Sequence, residues 1–262
     1  MALPEEVWIL GVRVHRLRAA EVPEHLQRLA TGGNSLQVVT VNPEFVVAAR
    51  RNAAFRRVLN GAALSLADGF GIVWASRVLG CPLPERVTGV DTMQRLCAWA
   101  AQKGWPVFLL GARPGVAERA AAVLARSCPG LQVAGCYAGS PDPVEEDGIV
   151  ARVQRSGARL LFVAYGAPQQ DLWIARNLPR LGVSVAMGVG GAFDFVAGVV
   201  PRAPVWMQER GLEWLYRLVR QPWRWRRMLA LPWFAVLVLW ERARRRGGKA
   251  AAGGGRGGTD GR

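Results

Sequence analysis

The chain has 262 residues, of which 51% are hydrophobic and 20% charged, so it is too apolar for a disordered protein and can bury one substantial core. Its formal net charge of +15 favours an anionic partner, either a nucleic acid or a membrane surface. The four cysteines lack CxxC spacing and only two histidines are present, which argues against a Cys/His metal site. The N-terminal sequence MALPEEVWIL is acidic where a signal peptide is basic, so we expect a cytoplasmic protein.

The chain begins with a β-hairpin, which we predict at residues 7–17 around Gly11. From residue 36 to 189, short aliphatic runs alternate with longer segments of helical period, a pattern typical of a doubly wound, mostly parallel, Rossmann-like α/β sheet. The predicted strands of this sheet are 37–41, 64–67, 107–110, 132–135, 160–163 and 184–187. Prolines at the first helical turn predict helices at 44–59, 116–127 and 144–155.

Polar residues follow the first two strands of the predicted sheet. In open parallel sheets, ligands bind outside the carboxyl ends of the strands. Asp68 stands at such an end, before Gly69, where a carboxylate could accept a proton from an attacking hydroxyl. It could instead cap the helix that starts near Phe70. Thr40 and Asn42 follow the neighbouring strand and suit hydrogen bonds to sugar or phosphate oxygens, although Asn42 could also be an ordinary helix cap.

Two further residues are candidates for ligand binding. Arg86 could neutralise a phosphate or be a solvated surface residue, and Gln170, in GAPQQDLW after a predicted strand, either contacts a ligand or faces water. GVGGAF (188–193) and GFGIVW (69–74) both fail GxGxxG, and the sequence has no GxxxxGK[ST] and no DxD, which argues against a dinucleotide hydride enzyme, a P-loop protein and a metal-binding DxD site. The charge of a diphosphate would then be met by arginines and helix N-termini. We expect no cofactor and no metal.

Positive charge is concentrated near the C-terminus. From Arg202 onward there are 14 Lys and Arg against 4 Asp and Glu, together with 6 of the 11 tryptophans. The apolar run 228–240 has 13 residues, fewer than the roughly 20 that a membrane-crossing helix needs. This pairing of charge and tryptophan favours a segment that lies in a lipid headgroup layer.

Five arginines of this region are spaced by seven, three, four and three residues, which would place them on one face of a continuous helix. They are Arg210, Arg217, Arg220, Arg224 and Arg227. Such a stripe could bind a diphosphate or be a solvated basic face, and Pro222 argues against an unbroken helix. We predict three parts: an α/β catalytic domain (1–200), a basic, helical, Trp-rich membrane-associating appendage (201–246) and a disordered Gly-rich tail (247–262).

Six segments, read in order, carry a resemblance to a known family. They are TVNPE (40–44), LADGFG (66–71), RVTG (86–89), GAPQQDLW (166–173), GVGGAFD (188–194) and the run from RAP to GLEWLYRL (202–218). Together they resemble the bacterial WecG/TagA/CpsF glycosyltransferase family over nearly the whole chain. The match departs at Asp171, where the family motif has glutamate, and the shorter acid would alter local packing.

The resemblance implies an inverting, metal-independent glycosyltransferase. Such an enzyme adds an N-acetylmannosamine-type sugar from a UDP donor to undecaprenyl-diphosphate-linked N-acetylglucosamine, in teichoic acid or related cell-surface polysaccharide synthesis. The resemblance implies Asp68 as the general base, and we expect Thr40 to act with it. The substrate-binding residues that it implies are Asn42, Arg86, Gln170, Arg217, Arg224 and Arg227.

Two alternatives belong to other classes. A non-catalytic basic module that binds membranes or nucleic acid would explain the charge but not the polar residues at the sheet edge. An epimerase would require the dinucleotide motif that the sequence lacks. We therefore expect a UDP-sugar donor, a polyprenyl-diphosphate-linked acceptor and the inner face of the cell membrane as partners, and no nucleic acid. The sequence leaves open the donor sugar, the polymer that is made and the oligomeric state. A homo-oligomer is among the open alternatives.

Overall fold

The structure is a computed structural model that describes residues 4–30, 33–220, 222 and 225–253. It begins with the predicted hairpin, formed by Glu6–Ile9 (β1) and Val12–His15 (β2). The two turn residues between these strands have positive φ angles of 51° and 82°, as type I′ hairpin turns require. The His15 Nδ1 atom accepts a hydrogen bond of 2.8 Å from the Ser65 amide, which attaches the hairpin to the main sheet.

The main sheet has six parallel strands, and all six predictions are confirmed to within two residues at each end. The strands are Leu36–Val41 (β3), Leu64–Ala67 (β4), Val107–Gly111 (β5), Val133–Tyr137 (β6), Leu160–Ala164 (β7) and Val185–Gly188 (β8). Their order across the sheet is β4-β3-β8-β7-β5-β6. All of them except β6 are buried along their whole length, as expected of parallel strands covered by helices on both faces.

Helices connect the strands and continue beyond the last one. In chain order they are Val22–Ala30 (α1), Pro43–Arg51 (α2), Ala53–Gly61 (α3), Phe70–Val78 (α4), Gly89–Lys103 (α5), Val116–Ser127 (α6), Pro143–Ser156 (α7), Gln169–Asn177 (α8), Ala192–Val196 (α9), Val205–Glu209 (α10), Glu213–Arg220 (α11), Trp225–Met228 (α12) and Ala230–Gly253 (α13). The helices predicted at 116–127 and 144–155 are confirmed as α6 and α7.

The single helix predicted at 44–59 is wrong, because the segment forms two helices. Asn52 has an extended conformation, with φ −129° and ψ 99°, and its side chain accepts a hydrogen bond of 2.9 Å from the Phe55 amide. Asn52 therefore ends α2 and caps α3. Its side chain bonds to the backbone in a non-helical conformation, and helical periodicity does not reveal such a bond.

The arrangement of helices on the two faces creates a crevice. The apolar side chains of α2, α3 and α4 pack on one face of β3 and β4, whereas those of α5, α6 and α9 pack on the opposite face of the sheet. β3 and β8 are neighbours, yet the helices that follow them, α2 and α9, lie on opposite faces. Such a topological switch point is where ligands bind in open α/β sheets.

The C-terminal helix α13 packs against α2 and α4. Phe234 and Val238 are buried in the same core cluster as those two helices. A Cβ atom on Gly71 would lie 2.6 Å from Pro43 Cγ and 3.8 Å from Phe234 Cε1, so the helices approach closely here. Within the residues that the structure describes, no helix combines the length and hydrophobicity that crossing a bilayer requires.

The question of whether the arginines from Arg210 to Arg227 lie on one continuous helix is answered against it: Arg210 follows α10, Arg220 lies in α11 and Arg227 lies in α12. Gly211 has a φ angle of 72° and separates α10 from α11, and α12 is a further separate helix. The side chain of Arg217 and the whole of Arg224 lie outside the described residues. Of the Gly-rich tail, residues 247–253 lie in α13, and residues 254–262 are also outside the described part.

Candidate functional site

A cavity of about 1210 Å³ lies at the carboxyl ends of β3, β4, β7 and β8. It is larger than the roughly 300–1,000 Å³ typical of small-molecule pockets, so it has room for parts of two substrates. Six of the eight candidate residues line it together: Thr40, Asn42, Asp68, Arg86, Gln170 and Arg227. The other two are Arg224, which is not described, and Arg217, whose side chain is not described.

Asp68 follows β4 directly and lines the cavity. Its backbone amide donates a hydrogen bond of 2.8 Å to the Val41 carbonyl, which fixes the end of β4 against the end of β3. The N-cap of α4 is Gly69, whose φ angle of 93° turns the chain sharply after the carboxylate. The helix cap is therefore the glycine, and Asp68 stands one residue before it.

Thr40 and Asn42 lie on the neighbouring strand end. Thr40 is buried, with its side chain facing the first residue of α5, Gly89. The Asn42 side-chain oxygen accepts a hydrogen bond of 2.9 Å from the Phe45 amide and caps α2. The helix-cap interpretation of Asn42 is thus confirmed, and the same side chain also lines the cavity.

Gln170 joins two loops of the cavity. Its side-chain oxygen accepts hydrogen bonds from the Gly166 amide at 3.2 Å and from the Gly190 amide at 2.9 Å. The residue is only 2% exposed, so the alternative that it faces water is wrong. One buried amide oxygen therefore holds the loop after β7 to the loop after β8.

A chain of alternating charges joins α5 to α11 beside the cavity. Arg202 donates to the Asp91 carboxylate at 2.6 and 2.9 Å, and its Nε lies 3.8 Å from Glu213. Glu213 in turn accepts a hydrogen bond of 3.1 Å from Arg86. Burial alone would raise the pKa of Asp91, but the hydrogen bonds from Arg202 and Thr88 outweigh it and lower that pKa. Arg86 is therefore an ion-paired residue of the cavity wall rather than a solvated one.

A second ion pair joins the C-terminal region to α2. The Arg227 guanidinium lies 2.6 and 2.8 Å from Glu44 Oε2, which connects α12 to the first turn of α2. Arg86, Arg202 and Arg227 thus place three guanidinium groups in the cavity lining, beside the carboxylates of Glu44, Asp68, Asp194 and Glu213. Among the residues that the structure describes, no three His, Cys, Asp or Glu side chains cluster closely enough to hold a metal ion.

Residues 7–248 match the family model described as the glycosyl transferase WecG/TagA/CpsF family. This chain belongs to the WecG/TagA/CpsF glycosyltransferase family. It is 36% identical over 205 residues to a Bacillus subtilis protein, covering 78% of this chain and 79% of that one. It is 37% identical over 202 residues to a Bacillus spizizenii protein, covering 77% and 78%. Both relatives are named N-acetylglucosaminyldiphosphoundecaprenol N-acetyl-beta-D-mannosaminyltransferase.

Asp171, where this glycosyltransferase departs from the expected glutamate, is fully buried beside the site. Neither of its carboxylate oxygens has a hydrogen-bond partner of good geometry among the described residues. Burial raises the pKa of Asp171 to about 7, although the adjacent Gln170 amide and the backbone favour the charged form. The Asp171 side chain packs against Gly188, the last residue of β8. A Cβ atom added to Gly188 would come 2.7 Å from Asp171 Oδ1.

Sequence patterns did not single out Asp91, Arg202 and Glu213 of this glycosyltransferase as site residues. The two members of the Asp91–Arg202 pair are 111 residues apart, so no local spacing relates them. The sequence offered one signal for Arg202: it begins the segment RAP (202–204), which belongs to the region that resembles the family.

Proposed function

We propose that this glycosyltransferase moves an N-acetylmannosamine-type sugar from a UDP donor to a polyprenyl-diphosphate-linked N-acetylglucosamine, with Asp68 as the general base. The observation that carries the proposal is that the Asp68 carboxylate and the cavity arginines share one opening at the switch point of the sheet. The printed names of the two Bacillus relatives support the choice of sugar and acceptor.

The donor diphosphate would bind to the guanidinium groups of Arg86 and Arg227. Both arginines are held by carboxylates, Glu213 and Glu44, in pairs whose side chains are 20% to 51% exposed. Ion pairs exposed to this extent contribute only about 0–1 kcal/mol each, so a diphosphate with a larger charge can compete for the same arginines. We propose that Arg217 and Arg224 add to this positive charge.

The reaction would then be an inverting displacement at the anomeric carbon. The acceptor hydroxyl attacks as the bond to the UDP oxygen breaks, and Asp68 accepts the hydroxyl proton, which contributes roughly 10²- to 10⁴-fold to the rate. The electrons of the broken bond remain on the departing diphosphate, whose negative charge the arginines stabilise. Thr40, Asn42 and Gln170 would position the reacting sugars through hydrogen bonds and fixed loops.

We further propose that residues 201–246 bring the site to the inner face of the cell membrane, beside the catalytic part, residues 1–200. Several tryptophans of this region are about half exposed: Trp206, Trp214, Trp225, Trp233 and Trp240. Arg244, Arg245 and Arg246 are exposed near the end of α13. Each basic residue near an anionic leaflet contributes about 1 kcal/mol to binding, and exposed tryptophans suit the headgroup layer.

The test is UDP release from a panel of UDP-sugars with a synthetic polyprenyl-diphosphate N-acetylglucosamine acceptor, without added metal. We expect turnover with an N-acetylmannosamine-type donor. Asp68→Asn should retain donor binding and lose roughly 10²- to 10⁴-fold in turnover. Asp147→Asn, at an exposed position on α7, is the matched control and should behave as the unaltered protein. Near-normal turnover by Asp68→Asn would reject the assignment of the base.

Membrane binding is tested separately by sedimentation with vesicles. We expect the protein to sediment with vesicles that contain anionic lipid and to be released by salt, because exposed charges are screened within about 10 Å at 0.1 M ionic strength. Equal binding to neutral vesicles would contradict the proposed role of the basic residues.

A further inference from the structure

One wall of the cavity is formed by aromatic and aliphatic side chains. The wall comprises Phe70 and Trp74 from α4, Met228 from α12, Leu229 between α12 and α13, and Phe234 from α13. Phe70 is 50% exposed and Leu229 is 58% exposed, so this wall presents apolar surface that solvent can reach. Apolar side chains gathered beside a polar site indicate a ligand with an apolar part.

The wall is fixed in place by close backbone contacts. A Cβ atom on Gly211 would lie 2.6 Å from Phe70 Cγ, so the turn between α10 and α11 packs directly on this ring. The next residue, Gly71, packs against Pro43 and lies near Phe234. The apolar wall therefore begins two residues after Asp68 and is held between the catalytic part and α13.

The wall also includes an exposed residue of the C-terminal region. Leu229 lies at the junction of α12 and α13, between Trp225 and Trp233, which are 53% and 49% exposed. Asp68, Leu229 and the half-exposed Trp225 line the same cavity. A hydrocarbon chain bound beside Leu229 and Trp225 would lie at the solvent-exposed side of the cavity, where residues 201–246 are proposed to meet the membrane.

We infer that this wall binds the first isoprene units of a polyprenyl-linked acceptor. The inference rests on the proposed function and adds a subsite to it. In such an acceptor the attacking hydroxyl, the diphosphate and the hydrocarbon follow one another, so the hydroxyl reaches Asp68 while the chain extends toward Leu229. Contact with the wall removes the isoprene units from water, which favours binding in proportion to the buried area.

The test compares two acceptors that share the same sugar and diphosphate, one with a polyprenyl chain and one with an alkyl chain of about four carbons. Both are presented in the same detergent micelles. Leu229→Ser is the first variant, because this exposed side chain contributes little to folding. Trp74→Ala is the second variant. Trp8→Ala, an exposed tryptophan on β1 that is not in the cavity lining, is the control.

We expect Leu229→Ser and Trp74→Ala to raise the KM for the polyprenyl acceptor about tenfold, since each removes apolar contact area. Their KM for the short-chain acceptor, their KM for the donor and their kcat should stay within about twofold. An unchanged polyprenyl KM, or equal increases for the two acceptors, would overturn the inference. A changed donor KM would assign the wall to the nucleoside of the donor instead.

Further outcomes separate the subsite from simple membrane contact and from a failure of the proposed function. If Leu229→Ser no longer sediments with anionic vesicles, the residue acts through membrane contact and the subsite is rejected. If the unaltered protein releases UDP with neither acceptor, the proposed function fails and the subsite fails with it. Turnover that does not distinguish the acceptors in the unaltered protein would reject the subsite alone.

Discussion

Replacing Asp171 with asparagine removes a titratable group from the protein interior with almost no change of shape. The carboxylate is fully buried and has no hydrogen-bond partner of good geometry among the described residues, and burial raises its pKa from 3.8 to about 7. In the unfolded chain the same group loses its proton near its ordinary pKa. The unfolded state is therefore the more deprotonated one between these two pH values, and folding stability falls as the pH rises through this window.

The size of the effect follows from the difference of about three pKa units, because each unit corresponds to about 1.4 kcal/mol. Stability should be lost from about pH 4 to pH 7, by up to about 4 kcal/mol, and should then level off. The asparagine amide does not ionise in either the folded or the unfolded state. We therefore expect Asp171→Asn to be up to about 4 kcal/mol more stable than the unaltered protein at pH 8 and nearly equal at pH 4.

Urea unfolding between pH 4 and pH 8, followed by tryptophan fluorescence, measures this difference. Asp147→Asn, at an exposed carboxylate on α7, is the control and should change stability by less than about 0.5 kcal/mol at every pH. A gain for Asp171→Asn that does not grow with pH, or no gain at pH 8, would refute the argument from burial.

Three other changes test the packing and the ion pairs. Phe234→Ala should lower the unfolding free energy by about 3–5 kcal/mol in urea titrations, because it leaves a cavity where α13 meets the core. Burial lowers the pKa of His15 to about 4, so the unfolded state binds the extra proton first as the pH drops. The unfolding free energy should therefore fall by about 3 kcal/mol between pH 6.5 and pH 4. His15→Gln should remove this pH dependence in the same assay. Arg202→Gln breaks the pairs with Asp91 and Glu213, whose side chains are 21% to 42% exposed, and should cost about 0–1 kcal/mol for each pair by urea unfolding, a loss that 1 M salt reduces.

The sheet and the polar residues at its edge could be predicted because both depend on local pattern. Buried parallel strands appear as short aliphatic runs, and residues after such runs must meet at one edge of the sheet. Asp68, Thr40, Asn42 and Gln170 were found in this way, and all four line the cavity. The resemblance to the family pointed to the same residues independently.

The remaining features depend on contacts that are distant in sequence or on single side chains. Asn52 splits a helix because its side chain caps the next one, and Gly211 separates helices that arginine spacing alone would have merged. The apolar run that includes Phe234 has the composition of a membrane segment, yet one side of it is buried against α2 and α4. Composition gives the hydrophobicity of such a helix, and only the fold determines which side it buries.

The hydrogen bonds of Gln170 have a consequence for attempts to change the sugar that this enzyme transfers. One amide oxygen accepts from both Gly166 and Gly190, so the two loops are attached to the same atom. A mutation that shifts one loop will therefore also displace the other, because both loops donate to the Gln170 side-chain oxygen. Libraries designed for a new donor should therefore vary the two loops as a linked pair and leave Gln170 intact.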